Sequence, residues 1–162
     1  MKPQIIITTC LDVETVITCA GSEHVGSYDN PVDISTLQDS PTGFDCQKTC
    51  IYMLTKQAEG IINGQEYREV SIHATIGDVI ELYNITLTNE LDYEIDSYNL
   101  QEILEQDMPP NSKTINTRNF WMIIIDENRL TYKYKWFLKI KSKRNPDIQS
   151  YYFCWEFIIA IA

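Results

Sequence analysis

The chain has 162 residues, of which 44% are apolar and 22% are charged, values typical of a single soluble globular domain. It carries 23 acidic and 13 basic residues, and a net charge of −10 repels the phosphates of nucleic acids. Asp12 and Glu14 interrupt the apolar start where an export signal needs an unbroken apolar core, and the apolar stretch at residues 157–162 is too short to cross a bilayer. We therefore expect no nucleic-acid or membrane partner, and a cytoplasmic location.

The first half of the chain predicts strands separated by polar connections. The segments IIITTC and CIYMLT are apolar enough for two strands, and EGIINGQ predicts a connection with a turn at Asn63–Gly64. Residues 21–43 are polar and interrupted by prolines, as in a long surface loop that carries function.

The second half alternates between apolar and polar residues with a period of two, which indicates strands with one buried face. Val70 and Ile72 alternate with polar residues up to the Gly77–Asp78 pair, and a further strand follows over residues 79–88. The strictest alternation places five apolar residues on one face: Tyr132, Tyr134, Trp136, Leu138 and Ile140. A final strand ends the chain.

These elements predict an all-β fold, a single-domain antiparallel β-sandwich of the jelly-roll or immunoglobulin-like kind over residues 1–162. At most one short helix is expected, near residues 100–107, because Asn99 is a suitable cap and Pro109–Pro110 is a stop.

The cysteines raise the question of metal or redox chemistry. On an extended segment Cys46 and Cys50 lie too far apart for a disulfide, and a zinc site would need two further ligands. The two histidines, His24 and His73, are not paired with another ligand-type residue at ligand spacing. We therefore interpret the pair as buried free thiols, and expect no metal and no cofactor. The odd count of five cysteines without an export signal indicates reduced thiols in a cytoplasm.

Two charged patterns are candidate sites. Asp92, Glu94 and Asp96 share one face of a predicted strand and could help to hold calcium, although a solvated strand face is favoured. A basic face forms the candidate assembly surface, and it consists of Lys133, Lys135, Lys139, Lys141, Lys143 and Arg144. Either these cations protect a strand against unwanted pairing, or they meet an acidic face on a neighbouring copy.

Several turn motifs, in order and spacing, resemble those of the PixA/AidA family of bacterial inclusion-body proteins. They are Pro41-Thr42-Gly43, Gly60-Ile61, Gly64-Gln65, Ala74-Thr75-Ile76-Gly77-Asp78 and the closing Tyr152-Phe153-Cys154-Trp155-Glu156. The resemblance implies a β-sandwich from a bacterial cytoplasm without known enzymatic activity, and accumulation in inclusions or a role in host interaction. No catalytic residue is carried over, and Gly43, Gly64, Gly77 and Asp78 are interpreted as turn residues.

Two classes of function follow. The first is a non-enzymatic protein that assembles with itself in cytoplasmic inclusions. The second is a lectin-like module that binds a glycan through the polar loop, where Tyr28, Asp29, Asn30 and Asp33 offer an aromatic ring, carboxylates and an amide. The expected partner is thus either a second copy or a glycan.

Overall fold

A computed structural model describes residues 4–21, 25–37, 51–56, 62–65, 69–87, 92–104, 112–117, 119–144, 147 and 150–162. Eleven strands lie in the described part of the chain. They are β1 (Ile5–Leu11), β2 (Val32–Asp33), β3 (Ile51–Lys56), β4 (Ile62–Gln65), β5 (Glu69–Ile72), β6 (Val79–Thr86), β7 (Tyr93–Glu102), β8 (Ser112–Asn116), β9 (Trp121–Ile125), β10 (Thr131–Ser142) and β11 (Tyr151–Ile161). One α-helix, α1 (Val13–Ala20), and a 3₁₀ turn (Ile34–Thr36) complete the described elements.

The strands form two sheets, which confirms the all-β fold class. The first sheet has the order β4-β3-β1-β6-β9-β8, and the second has the order β2-β11-β10-β7. Strand β5 also pairs with β11, beyond the point where β2 ends. The sheets are mixed, since β1 runs parallel to β6 and β11 runs parallel to both β2 and β5. The expectation of purely antiparallel pairing is therefore wrong at these three places.

The core lies between the inward faces of the two sheets. Strand β10 buries the five predicted apolar side chains, and its neighbour β11 adds Trp155 and Phe157. The rings of Trp136 and Trp155 lie 5.3 Å apart, and Trp136 also contacts Phe157 at 6.0 Å. Burying a large apolar side chain contributes about 1.5–3 kcal/mol, so this aromatic layer is a major source of stability. The domain boundaries at residues 1–162 stay a prediction.

Helix α1 is the element that sequence patterns did not predict. The Asp12 carboxylate caps it, accepting a hydrogen bond from the Thr15 amide at 3.1 Å and one from the Thr15 hydroxyl at 2.7 Å. Its Val13 and Val16 side chains are buried in the core. The helix predicted near residues 100–107 does not begin there, because residues 100–102 are the end of β7; residues 105–107 lie outside the described part.

Two further segments differ from expectation. The Asn63–Gly64 turn is wrong, because both residues lie in β4 and pair with β3. Within the predicted loop at residues 21–43, residues 32 and 33 form β2, and Ile34 and Leu37 are buried. These short strands carry too few residues to show an alternation.

The Gly77–Asp78 turn is confirmed. Gly77 has a φ of 89°, a conformation that glycine adopts without strain. The Asp78 carboxylate accepts hydrogen bonds from the Thr75 amide at 2.7 Å and from the Thr75 hydroxyl at 3.1 Å, which closes the turn before β6. Gly43 lies outside the described residues.

Candidate ligand-binding cleft and assembly faces

A cleft of about 240 Å³ opens where the edge strand β7 of the second sheet faces the first sheet near β8 and β9. Its polar lining consists of Asn84, Asp96, Ser97, Asn116, Thr117 and Asn119. Its apolar lining consists of Leu82, Ile95, Phe120 and Trp121. Strand ends and one turn therefore bring together amides, hydroxyls, a carboxylate and aromatic rings.

The Ser97 hydroxyl is the most constrained polar group of the cleft. Its oxygen accepts a hydrogen bond from the Trp121 indole at 2.9 Å and a second one from the Trp136 indole. A serine hydroxyl has two lone pairs and one proton, so both acceptor positions are occupied and the proton can be donated.

The turn that carries the rest of the lining is braced by its own hydrogen bonds. The Thr117 hydroxyl donates to the Phe120 carbonyl at 2.5 Å and accepts from the Phe120 amide at 3.0 Å. The Phe120 ring packs against Tyr83 with 4.8 Å between ring centroids. Asn119 and the aromatic floor are thus held on a closed turn.

Three amide side chains in the cleft have no hydrogen-bond partner within the described residues: Asn84, Asn116 and Asn119. Asn84 is half-buried, whereas the other two are exposed. A partly buried amide without a partner leaves hydrogen-bonding capacity unused, so it is available to a ligand or to water.

The Tyr28 loop, residues 27–30, lies elsewhere on the surface. Tyr28 is 60% exposed and its ring stacks on Tyr98, with 4.6 Å between centroids. Asp29 and Asn30 are exposed, but Asp33 is half-buried in β2, so the four predicted ligand residues do not form one loop site. Gly26 allows the chain before this loop to approach β11 closely, because a Cβ at this position would lie only 2.8 Å from the Tyr152 carbonyl oxygen.

Four residues of the predicted basic face form an outward row on β10, which we call the lysine row: Lys133, Lys135, Lys139 and Lys141. The other two, Lys143 and Arg144, lie just after the end of β10. Two members of the lysine row pair across the strands with acidic residues of β7, Lys139 with Asp96 and Lys141 with Glu94. On the other side, Lys135 pairs with Glu156 of β11. Carboxylates of the same sheet therefore already lie beside the row.

The acidic trio does not form a metal site. Asp92 is only 8% exposed and forms an ion pair with Arg144, whereas Glu94 and Asp96 are exposed on β7. Among the described residues, no group of three or more histidine, cysteine or acidic side chains could hold a metal ion. His73 is exposed, with its Nδ1 3.3 Å from the Ala162 carbonyl oxygen, and His24 lies outside the described residues.

The cysteines differ from the expected set of free thiols. Cys10 and Cys154 are free and buried, but Cys19 is disulfide-bonded, so the expectation of reduced thiols is wrong for Cys19. Cys46 and Cys50 lie outside the described residues. Burial raises the pKa of the Cys154 thiol from 9.0 to about 11, with nearby Asp33 adding to the effect.

This pKa shift predicts a loss of stability at alkaline pH. The folded state holds the Cys154 proton more tightly than the unfolded state, so its contribution is complete below pH 9.0 and is lost as pH rises towards about 11. We expect the melting temperature of Cys154→Ala to fall less steeply over this interval than that of the wild type. If the melting temperatures of Cys154→Ala and the wild type fall equally with pH between pH 8 and pH 11, the assignment to Cys154 is wrong.

The outward side of the first sheet is largely apolar, and we call it the apolar face. Its apolar side chains follow from the strand registers: Ile6, Tyr52, Leu54, Val79, Tyr83, Ile85, Ile115, Met122 and Ile124. Cys10 lies at the centre of this side but is buried. Ile85 and Ile115 are 45% and 44% exposed, and Tyr52 is exposed as well. Large exposed apolar patches mark interaction surfaces in soluble proteins.

A family model described as "PixA: Inclusion body protein" matches residues 5–108, more than half of the chain. The chain belongs to this PixA family. The resemblance identified from the turn motifs is thereby confirmed, whereas no curated protein matches the chain.

A solved PixA inclusion body protein from Burkholderia cenocepacia J2315 has a similar fold. The TM-score is 0.69 at 16% sequence identity, and the alignment covers 100% of this chain and 97% of that one. At this identity the similarity shows the fold alone. In the described part of this PixA member, no helix is long and apolar enough to span a membrane.

Sequence patterns missed the cleft of this PixA member. Asn116 and Asn119 flank a turn, and asparagine in a turn is ordinarily a local hydrogen-bonding residue. Ser97 lies on the inward face of β7 within an otherwise alternating strand. A polar residue at a core-facing position was the one signal that could have indicated a site.

Proposed function

We propose that this PixA member is a non-enzymatic protein that assembles with itself and accumulates in inclusions, and that its copies meet at the apolar face. The single observation that carries the proposal is the exposure of apolar side chains on three strands of one sheet, with Tyr52 on β3, Ile85 on β6 and Ile115 on β8. An exposed apolar sheet face is stabilised when a second face covers it.

The charges of the molecule support the apolar face over the lysine row. A chain of net charge −10 repels its copies, and a face with few ionisable groups keeps that repulsion at a distance. By the strand registers, three charged residues occupy positions on this side of the sheet: Lys56 in β3, Glu81 in β6 and Lys113 in β8. The lysine row already lies beside carboxylates of its own sheet, so it offers less attraction to an acidic neighbour.

Assembly is tested by placing a charge on the apolar face. We expect Ile85→Lys combined with Ile115→Lys to lower the mass measured by light scattering at high protein concentration to that of the smallest species, because each lysine would have to be desolvated at the contact. Leu130→Lys is the control, since Leu130 is 81% exposed and lies outside the face.

The opposite pattern would refute this choice of face. If the double variant assembles like the wild type while replacement of the lysine row by glutamate dissolves the assemblies, charge pairing across the basic face is the mechanism. High salt also distinguishes the two mechanisms of assembly. It screens charge pairing across the lysine row and should dissolve assemblies held by charges. Assemblies held by the apolar face should persist, and a salt that is excluded from the protein surface should strengthen them.

The proposed place of accumulation is the bacterial cytoplasm, with a role in host interaction. The Cys19 disulfide counts against a strongly reducing compartment, since disulfides persist mainly where the surroundings are oxidising. The redox state of Cys19 in intact cells therefore tests the location separately from the assembly.

Glycan binding at the Tyr28 loop is a second candidate. It is supported by the exposed Tyr28 ring, which stacks on Tyr98 beside the exposed Asp29. An open aromatic surface next to a carboxylate suits the apolar and hydroxyl-bearing sides of a sugar. Tyr28→Ala should remove retention on a glycan array, and retention by this variant would eliminate the loop.

A further inference from the structure

We propose that the cleft between β7 and the β8–β9 turn binds a neutral polyhydroxylated ligand of about one sugar residue. The site is distinct from the Tyr28 loop and adjoins both assembly faces, because Asp96 pairs with Lys139 and the Phe120 ring packs on Tyr83. The proposal shares with the second candidate function, glycan binding at the Tyr28 loop, only the class of ligand. It does not depend on self-assembly.

The first argument is the match of hydrogen-bonding groups. Each amide of Asn84, Asn116 and Asn119 offers both donors and an acceptor, and within the described residues none is used. A sugar hydroxyl is also both donor and acceptor, so neighbouring hydroxyls can bond in pairs to such amides. Since Asn84 is half-buried, the free energy gained by giving it a partner exceeds that at an exposed amide.

The second argument is the fixed direction of one donor. With two indole N–H groups bonded to its oxygen, Ser97 cannot rotate freely, and its hydroxyl proton is directed away from both indoles. A ligand acceptor placed there meets a donor that is already ordered. Little side-chain entropy is therefore lost on binding.

The third argument is the aromatic floor. Phe120 and Trp121 line the cleft, and Tyr83 supports the Phe120 ring from the side. The C–H groups on one side of a pyranose ring are apolar and pack on aromatic rings, while its hydroxyls point outward to polar groups. Most of the accessible lining is polar, so these rings add only a small apolar edge beside the hydrogen-bonding groups.

Charge and size narrow the ligand class. Asp96 is the ionisable residue among the described lining residues, and its carboxylate repels a phosphate or carboxylate group placed beside it. Pockets for drug-sized ligands measure about 300–1,000 Å³. A cleft of about 240 Å³ accordingly suits a single sugar unit or a similar polyol.

The test is an NMR titration of the full chain with glucose, galactose, mannose and N-acetylglucosamine. The reporter is the indole N–H resonance of Trp121, assigned by its absence in Trp121→Phe, because this indole bonds to Ser97 in the cleft. We expect at least one sugar to shift this resonance saturably. Asn116→Ala and Asn119→Ala should each weaken that binding by about threefold to tenfold, the effect of one lost hydrogen bond.

Two variants make the outcome decisive. Asn128→Ala is the matched control, since Asn128 is exposed in the β9–β10 connection, and it should bind like the wild type. Tyr28→Ala separates this site from the second candidate function and should leave the Trp121 shift unchanged. The proposal is overturned if none of the four sugars shifts the Trp121 indole resonance at millimolar concentration. It is also overturned if Asn116→Ala and Asn119→Ala bind like the wild type, or if Tyr28→Ala alone abolishes binding. Light scattering of the same samples reports assembly independently.

Discussion

Replacing Ser97 by alanine is expected to lower the free energy of unfolding by about 2–5 kcal/mol, because two indole N–H groups lose the same acceptor. Each buried donor without a partner costs about 1–3 kcal/mol. The Trp136 side chain is fully buried, so water cannot replace the hydroxyl there without rearrangement. The Trp121 indole retains a longer contact of 3.4 Å to the Ser97 carbonyl oxygen, which limits its share of the loss. Urea unfolding without added ligand measures the change.

Ser71→Ala is the matched control for this prediction. Ser71 also lies within a strand, β5, but its side chain is exposed, so the same chemical change should alter stability by less than about 0.5 kcal/mol. Ser97→Thr provides a second comparison, because it keeps the hydroxyl and adds one methyl group. Equal stability of Ser97→Ala and the wild type would mean that the shared acceptor contributes nothing measurable.

Loss of the Cys19 disulfide is expected to cost about 2–4 kcal/mol, mainly because the unfolded chain gains freedom. Cys19 lies in the last turn of α1, so the crosslink holds the end of this helix. We expect Cys19→Ser to melt at a lower temperature than the wild type under oxidising conditions.

Reducing agent supplies the control within the same experiment. Dithiothreitol should lower the melting temperature of the wild type to that of Cys19→Ser, and should leave the variant unchanged. An equal effect of dithiothreitol on both proteins would assign the change to something other than this bond. Rapid alkylation in intact cells, followed by mass spectrometry, then shows whether the bond exists where the protein accumulates.

The parts of the fold that were predictable are those in which one strand carries its own pattern. In β10 the lysines alternate with buried residues such as Tyr132 and Trp136, so the twelve residues of this strand are sufficient to predict which face is buried. The Gly77–Asp78 turn was predictable for a similar reason, because the backbone conformation and the capping carboxylate are both local.

The parts that were not predictable depend on distant partners. Strand β4 contains the Asn63–Gly64 pair that ordinarily marks a turn, and its extended form follows from pairing with β3. The two residues of β2 become a strand only because β11 lies beside them. Tertiary pairing decides these segments, and local preference is too weak to oppose it.

The cleft could not be predicted from the sequence for a related reason. Asn84, Ser97 and Asn119 are far apart in the chain and come together where β7 of the second sheet faces the first sheet. Since each residue alone has an ordinary explanation, a single sequence carries no sign that they share a ligand. By contrast, the charged candidates were conspicuous in the sequence, yet β10 and β7 place them beside one another rather than around a cavity.

Strand β11 lies between β10 and the pair formed by β2 and β5, although it is made after all three. A ribosome releases the chain from its N-terminal end, at about 5–20 residues per second. Until residues 151–161 have left the exit tunnel, β2, β5 and one edge of β10 lack β11, the strand that pairs with them in the described part of the chain. Val32 of β2 pairs with Phe153 of β11, so β2 stays without this partner while the 120 residues between them are synthesised. On a crowded polysome, neighbouring nascent chains of this protein therefore meet with unpaired strand edges, and chaperones that cover such edges should strongly influence its yield.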